Sequence, residues 1–350
     1  MNNPVRILEI AQAAGVSAAT VSRVFNQPEK VRLGTREMVL AIATRHSYQP
    51  NSAASALRTQ RSKILGVILP TFGNPVFAEC LEGIASQAAE QGFGVMPVTS
   101  DYDSERETQA INRLLAKGVD GMILVVRDPT KAPGLSQLHK QSVPFVLAYN
   151  QHPKYHCVGV DGHSQVASVV ARLCALGHRK IAMVSGQLSA SDRARQRYQG
   201  YFSGMQSANL QPLALIEVDF IASDMLALAT LLKQSAAKRP TALICSNDLL
   251  AFRSLRTATQ CGLSVPESLS VVGFDGIKIG QELSPMLTTV IQPNHDIGQW
   301  ATTLLIQSIS GHARTQKPAT HNLECGFRLG ETIGSPPTNR SHHARDIFLT

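Results

Sequence analysis

Residues 7–25 read ILEIAQAAGVSAATVSRVF, and this stretch governs how the first part of the chain folds. Apolar residues recur at helical spacing on both sides of Gly15, Val16 and Ser17. Gly15 supplies the backbone freedom that a tight turn needs, Val16 fills the angle between the helices, and Ser17 is a favoured N-cap. The spacing therefore predicts a helix-turn-helix.

The second helix of this pair presents small residues and one arginine on its exposed face. A guanidinium at position 23 suits O6 and N7 of guanine, and small neighbours allow a close approach to base edges. The residues predicted to contact DNA in this segment are Ser17, Ala18, Ala19, Thr20, Ser22, Arg23 and Asn26. The alternative is a generic pair of helices on which Arg23 is a solvated surface charge.

Positive charge is concentrated in the same segment. The chain has 350 residues and a net charge of +8. Residues 1–63 hold nine Lys and Arg against three Glu, a net charge of +6. A basic module on a nearly neutral body is what binding to a phosphate backbone requires.

A third helix and a short connector follow. Residues 35–46 are predicted to form an amphipathic helix with Met38, Val39, Ile42 and Ala43 inward. Residues 51–58 are rich in alanine but hold one large apolar side chain, Leu57, so they are too short to form a stable helix alone. We expect this connector to fold only when it is docked.

Several short motifs in the head and connector occur together. They are Ile10-Ala11, Ala14-Gly15-Val16-Ser17, Thr20-Val21-Ser22-Arg23-Val24, Tyr48-Gln49-Pro50-Asn51 and Ala56-Leu57-Arg58. With these motifs the chain resembles the LacI/GalR family of transcriptional regulators, over nearly its whole length up to about Pro336.

The resemblance assigns a role to the connector. In that family the hinge helices of two subunits pair in the minor groove, and a leucine wedges into the central base step. The resemblance gives this role to Leu57 and adds Asn51, Ala54 and Arg58 to the predicted DNA contacts. The alternative is a linker in which Leu57 lies on the core surface.

From residue 64 onward, apolar strands alternate with amphipathic helices, as is typical of a parallel sheet. Strands are predicted at 64–69, 94–98, 121–126, 144–149, 157–160, 180–184, 214–219, 242–245 and 270–273. So many strands exceed one doubly wound sheet. We therefore predict an α/β core like that of periplasmic binding proteins, with two lobes, two doubly wound parallel sheets, and a small-molecule cleft between them.

Four segments follow from these patterns. They are a small all-α helix-turn-helix head (1–50), a hinge helix and linker (51–63), the two-lobed effector-binding and dimerisation core (64–335) and a disordered tail (336–350).

Polar side chains follow many of the predicted strands, where ligands of open parallel sheets bind. The LacI/GalR resemblance further implies an effector arginine at Arg197, a carboxylate at Asp275 and an aromatic wall at Phe220. The predicted effector-binding residues are Asn74, Phe77, Arg127, Asn150, Ser191, Arg197, Phe220, Asn247 and Asp275. For any one of them, a helix cap or a loop brace is an equally plausible role.

The number of arginines near the predicted cleft bears on the ligand. Arg127, Arg193, Arg195 and Arg197 exceed what a neutral sugar requires, which favours a carboxylate or phosphate on the effector. For Arg193 and Arg195 a surface position is the favoured interpretation. The branch that resembles gluconate repressors fits through Asn26-Gln27-Pro28-Glu29, Asn74-Pro75-Val76-Phe77-Ala78-Glu79 and Ile279-Gly280-Gln281.

The function expected from these patterns is a sequence-specific transcriptional regulator, most simply a repressor, of carbohydrate or sugar-acid metabolism. A single such head makes few phosphate contacts, so we expect a homodimer on a palindromic double-stranded operator, with a sugar or sugar acid as the effector. The tail lacks the heptads of a tetramerising zipper. An exported solute-binding protein without DNA binding is the alternative.

Other function classes receive little support. No GxGxxG or GxxxxGK[ST] follows a strand, and no nucleophile motif is present, so an enzyme is not predicted. The six cysteines and eleven histidines show no metal-binding spacing, so neither a metal nor a cofactor is expected. Without a signal peptide or an apolar run long enough for a membrane span, the expected location is cytoplasmic.

Overall fold

The computed structural model describes residues 6–48, 61–220, 224–311 and 317–337. The chain divides into two compact units, one that ends at Ser62 and one that begins at Lys63. The predicted hinge contacts Asn51, Ala54, Leu57 and Arg58 lie outside the described residues, as do tail residues 338–350.

The first unit is a three-helix head. Gly15 has a φ of +60°, a left-handed turn conformation that glycine adopts without strain. Ser17 caps the helix that follows, because its Oγ accepts a hydrogen bond from the backbone N–H of Thr20 at 3.1 Å. The helices are α1 (Ile7–Ala13), α2 (Ala18–Asn26) and α3 (Leu33–Arg45), with a 3-10 turn at Pro28–Lys30 before α3.

A small apolar core joins the three helices. Ile10, Val21 and Val39, one from each helix, are fully buried in it. The inward position predicted for Met38 is wrong, because its side chain is 41% exposed. Two short helices cover only a narrow stripe of α3, and Met38 lies outside that stripe.

The second unit consists of two lobes with the same strand order. Lobe 1 has the parallel order β11-β5-β4-β3-β1-β2, and lobe 2 has β12-β10-β9-β8-β6-β7. All pairs in lobe 2 are parallel except β12 on β10, so the predicted pair of doubly wound parallel sheets is confirmed, with one antiparallel edge strand in the second sheet. Leu65, Val67 and Ile68 of the central strand β1 are fully buried, as expected for a sheet covered on both faces.

The strands of lobe 1 are β1 (Ile64–Leu69), β2 (Gly94–Thr99), β3 (Gly121–Leu124), β4 (Phe145–Ala148), β5 (Cys157–Gly159) and β11 (Thr320–Asn322). Its helices are α4 (Pro75–Glu90), α5 (Ser104–Ala116), α6 (Pro133–Lys140) and α11 (Asn294–Ile309).

The strands of lobe 2 are β6 (Ile181–Gly186), β7 (Ile216–Val218), β8 (Ala242–Cys245), β9 (Ser270–Asp275), β10 (Thr288–Ile291) and β12 (Gly326–Arg328). Its helices are α7 (Gly162–Ala175), α8 (Asp192–Ser207), α9 (Leu226–Leu232) and α10 (Asp248–Gln260).

The chain passes between the lobes three times, after β5, after β10 and between β11 and β12. Three connections let two rigid lobes move about a common axis. Both sheets also reverse their strand order beside their first strand, which is where open α/β sheets bind ligands.

Candidate functional site

A small cavity lies between the lobes, beyond the carboxyl ends of their strands, which is where open parallel sheets bind ligands. Lobe 1 contributes Asn74, Val76, Phe77, Tyr102 and Tyr149 to its lining. Lobe 2 and the crossover after β10 contribute Ser191, Arg193, Ala194, Arg197, Phe220, Ser246, Asn247, Asp275 and Gln292.

A buried ion pair forms part of this lining. Arg197 Nη1 lies 3.4 Å from Asp275 Oδ1, and the two side chains are 10% and 4% exposed. The same nitrogen donates to the carbonyl oxygen of Ser246, and the guanidinium carbon lies 3.7 Å from the ring centroid of Phe274. Gln292 Nε2 donates to Asp275 Oδ1 at 2.7 Å. The pair is therefore held in place by protein contacts alone.

Backbone strain occurs at the same cavity, which holds three of the eight non-glycine residues with a positive φ in the described part of the chain. Tyr102, Tyr149 and Asp275 line it and have positive φ angles of 59°, 63° and 120°. Residues other than glycine adopt such angles at a cost that the surrounding structure must offset, and functional sites are where this is commonly seen. Tyr102 also stacks on Phe220 across the two lobes, with ring centroids 4.7 Å apart.

Seven of the nine predicted effector residues line the cavity. They are Asn74, Phe77, Ser191, Arg197, Phe220, Asn247 and Asp275. Arg127 and Asn150 do not line it. Instead, Arg127 Nε donates to the carbonyl oxygen of Ser189 at 2.6 Å, and Asn150 Nδ2 donates to Asp192 Oδ1 at 2.8 Å. Both contacts join lobe 1 to lobe 2, so the structure places these two residues in the closure of the lobes.

The surface position favoured for Arg193 is wrong. The residue is 9% exposed and lines the cavity. It is the second residue of α8, and the first turn of this helix is buried between the lobes. Arg195 lies outside the lining and pairs with Asp128 of lobe 1 at 2.8 Å.

Sequence reasoning missed several lining residues altogether. Gln292 follows β10, a strand that was not predicted because its first half is two threonines. Tyr102 lies in a turn after β2 whose positive φ leaves no mark in the sequence pattern. Ser246 directly follows β8, at the sheet edge where ligands of open parallel sheets bind, so the same rule applies to it.

Four carboxyl groups around the cleft have raised pKa values, and burial is the largest cause for each of them, Asp192 included. Burial raises the pKa of Asp275 to about 6, although Arg197 opposes the shift. Burial, reinforced by Asp275, raises the pKa of Asp248 to about 7. Burial likewise raises the pKa of Glu107 to about 7. The hydrogen bond that its carboxylate accepts from the backbone N–H of Arg127 opposes this shift. These groups favour the neutral form in the folded protein more than they would in water.

Asp248 gives the first prediction, because its ionised form costs folding free energy. Its folded pKa of about 7 lies above its value of 3.8 in water, so the cost is present above pH 7 and is relieved as pH falls through 7. An Asp248→Asn variant mimics the neutral form. We therefore expect the stability of wild type relative to the variant to rise as pH falls from 8 to 5, measured by urea unfolding.

The hydroxyl of Thr289, which donates to Asp248 Oδ1 at 2.6 Å, can turn to accept from the new amide. Asp296→Asn is the matched control, since that side chain is 62% exposed. A difference between Asp248→Asn and wild type that stays constant over this pH range would contradict the prediction.

The head carries a separate candidate site, the surface of α2 that is predicted to contact DNA. Ala19, Arg23 and Asn26 are exposed, while Ala18, Thr20 and Ser22 are half-buried. Asn26 Nδ2 donates to the carbonyl oxygen of Ser22 at 2.8 Å, so its amide is held against its own helix. Arg23 therefore projects beside small side chains from the helix that follows the turn.

A helix-turn-helix head in one chain with a two-lobed core that encloses a cavity defines a class, the DNA-binding regulators with a ligand domain. Residues 6–51 match the family of bacterial regulatory proteins of the lacI type. Residues 62–328 match the periplasmic binding proteins and sugar binding domain of the LacI family. The chain belongs to the LacI family.

Named relatives are similar over most of the chain. Catabolite control protein A of Priestia megaterium is 33% identical over 309 residues, which cover 86% of this chain and 91% of that protein. The transcriptional regulator IdnR of Escherichia coli K12 is 31% identical over 341 residues, 95% of this chain and 99% of its own length. A crystal structure of the Lac repressor dimer bound to operator superposes with a TM-score of 0.85 at 29% identity, covering 95% of this chain and all of that one.

The part of the chain that the structure describes contains no helix long and apolar enough to cross a bilayer.

Proposed function

We propose that this chain is a transcriptional repressor that binds a palindromic operator as a homodimer and changes its operator affinity when an effector occupies the inter-lobe cavity. The observation that carries the proposal is the coexistence of the helix-turn-helix surface around Arg23 with the cavity around Arg197 and Asp275. The first reads base edges in the major groove, and the second presents charged groups to a small molecule.

A dimer is supported by the surface of lobe 2 and by a solved relative. Ile279 and Leu283 are 55% and 36% exposed within one short segment, so both apolar side chains are available for burial against a second subunit. The similar Lac repressor structure is a dimer on its operator. Two heads related by a two-fold axis match the symmetry of a palindrome.

The effector is proposed to be a sugar or a sugar acid. The cavity combines amide, hydroxyl, carboxylate and guanidinium groups with aromatic faces, a set that suits a polyhydroxylated ligand. Hydrogen bonds between the lobes, such as the one from Arg127 Nε to the carbonyl oxygen of Ser189, hold the lobes closed around this cavity. Because an effector that bridges the lobes favours one degree of closure, its binding shifts the relative positions of the lobes.

Leu57 and its neighbours Asn51, Ala54 and Arg58 are proposed as minor-groove contacts on the strength of the sequence alone. An alanine-rich segment that folds only when docked links lobe movement to operator binding, since a small shift removes the conditions under which it is helical.

A solute-binding protein would use the same core without the head. The experiment that separates the two functions is a gel shift with operator DNA from the gene's own upstream region over a salt titration. Tight binding that weakens steeply with salt marks the regulator. Binding that is absent at every salt concentration, with or without sugars, would refute the proposed function.

An enzyme is not favoured, because the charged groups of the cavity are paired with one another rather than set against a nucleophile.

Arg23→Ala is the second prediction. Loss of a bidentate contact to guanine is expected to weaken operator binding by about 1–3 kcal/mol and to relax base preference at one position of each half-site. Arg45→Ala, at an exposed arginine in the last turn of α3, is the control and should leave base preference unchanged. Gel shifts with operators substituted one base pair at a time measure both effects. An Arg23→Ala protein with wild-type preference at every position would contradict the assignment.

A further inference from the structure

Arg193 presents an unused hydrogen-bond donor at the cavity. Its side chain is 10% exposed, and Nη1 donates to the carbonyl oxygen of Val126 at 2.9 Å and to Asp192 Oδ1 at 3.0 Å. Nη2 is buried and has no hydrogen-bond partner among the described residues. A buried charged donor without a partner is costly, so its place in the lining points to a ligand that accepts from it.

Gln292 presents an unused acceptor in the same lining. The residue is 4% exposed, and its Nε2 donates to Asp275 Oδ1 at 2.7 Å. That bond fixes the orientation of the amide and leaves Oε1 as a buried acceptor without a donor in the described part of the chain. A ligand hydroxyl is the simplest donor for a neutral amide oxygen.

The ion pairs around the cavity leave one guanidinium nitrogen unused. Arg193 and Arg197 are the cations of the lining, Asp275 is its carboxylate, and Asp192 lies beside Arg193. Arg197 is paired with Asp275, and Arg193 is paired with Asp192 through Nη1, so Arg193 Nη2 and Asp192 Oδ2 are the polar atoms of these pairs without a hydrogen-bond partner among the described residues. One guanidinium nitrogen is therefore left for the ligand. One guanidinium nitrogen can donate to a carboxylate with a single charge. A phosphate has up to two charges and three oxygens and would need more donors than this nitrogen offers.

The aromatic part of the lining argues against a flat heterocycle. Tyr102 and Phe220 stack directly on each other, with ring planes 11° apart and centroids at 4.7 Å. A third planar ring does not fit between them. The remaining space therefore suits a compact, hydroxylated ligand better than a base.

We propose that the effector is a monosaccharide acid whose carboxylate accepts from Arg193 Nη2 and whose hydroxyl groups include one that donates to Gln292 Oε1. Arg193 is then the residue that selects the acid over a neutral sugar. This inference rests on the proposed function, because it names the ligand of the same cavity.

The test is calorimetry on the full-length protein with pairs of ligands that differ only in charge. D-Gluconate, D-galactonate, D-mannonate and L-idonate are each compared with the corresponding neutral amide, alongside D-glucose, glucose phosphate and hypoxanthine. At least one acid is expected to bind about tenfold or more tightly than its amide. In Arg193→Gln, affinity for that acid should fall by about 10- to 100-fold, and the preference over the amide should disappear.

Loss of the preference for the acid over its amide distinguishes a role of Arg193 in ligand selection from a folding defect. A distorted cavity would lower the affinity for the acid and for the amide alike. Arg193→Gln also leaves Asp192 without its cation, so the double variant Asp192→Asn/Arg193→Gln, in which both groups are neutral, is measured in parallel. Arg113→Gln, at an exposed arginine of α5, is the control and should bind as wild type does.

Any one of three results would overturn the inference. The first is equal affinity for an acid and its amide, and the second is tightest binding to a neutral sugar, a phosphate or a base. The third is that no acid binds. A gel shift with operator DNA is run on the same preparations. A protein that shifts operator but binds no acid loses this inference and keeps the proposed function, whereas one that binds the acid but no DNA loses the proposed function.

Discussion

Gly298→Ala is expected to lower the free energy of unfolding of the core by about 3 kcal/mol. Gly298 lies in α11 where this helix crosses α4, and a Cβ there would lie 2.1 Å from the carbonyl oxygen of Cys80 and 2.9 Å from the backbone nitrogen of Ile84. The contact is reciprocal, because a Cβ on Gly83 of α4 would lie 2.0 Å from the carbonyl oxygen of His295. The two helix backbones touch at this crossing.

The steric cost outweighs the gain in helix propensity. Alanine is the better helix former by about 1 kcal/mol, so an open site would be stabilised by the change. Here the clashing atoms belong to the backbone of a neighbouring helix and cannot rotate away, so the helices must separate. Because α4 begins beside Asn74 and α11 begins two residues after Gln292, the cavity lining moves with them.

Urea unfolding followed by circular dichroism measures the effect. Gly94→Ala is the control in the same lobe, since a Cβ there meets only the carbonyl oxygen of Lys63 at 3.9 Å and should change stability by less than about 0.5 kcal/mol. A Gly298→Ala protein as stable as the Gly94→Ala protein would show that α4 and α11 can move apart at this crossing at little cost.

Strands that consist of an apolar run were predicted from the sequence. Strands without such a run were missed. β1 and β8 have the predicted bounds, and all nine predicted strands are present. β11 reads THN and β12 reads GFR, three residues each, and both are edge strands that pair on one side only. Their conformation is set by tertiary pairing rather than by local preference, so no pattern within them marks a strand.

The candidate site was predictable where it follows from topology. Asn247 lies two residues after β8, and Asp275 ends β9, so the rule for open parallel sheets finds both. Arg193 was misjudged because burial of the first turn of α8 depends on the closure of lobe 1 over lobe 2, a long-range event. The roles of Arg127 and Asn150 in joining the lobes depend on the same closure.

Arg197→Met is expected to abolish effector binding and to lower the free energy of unfolding by about 3–5 kcal/mol. The side chain is 10% exposed, and it supplies the cation that opposes the raised pKa of Asp275. Its removal leaves the buried carboxyl group of Asp275 with the amides of Asn74 and Gln292 as its remaining hydrogen-bond partners. Calorimetry and urea unfolding at neutral pH measure the two losses separately.

The double variant Arg197→Met/Asp275→Asn distinguishes the two effects. A neutral amide at position 275 needs no cation, and asparagine tolerates the positive φ of 120° there about as well as aspartate does. Most of the lost stability should therefore return, while effector binding should stay absent because neither charged group remains. If the double variant were no more stable than Arg197→Met alone, the cost would lie in the lost packing of the guanidinium on Phe274 rather than in an unpaired charge.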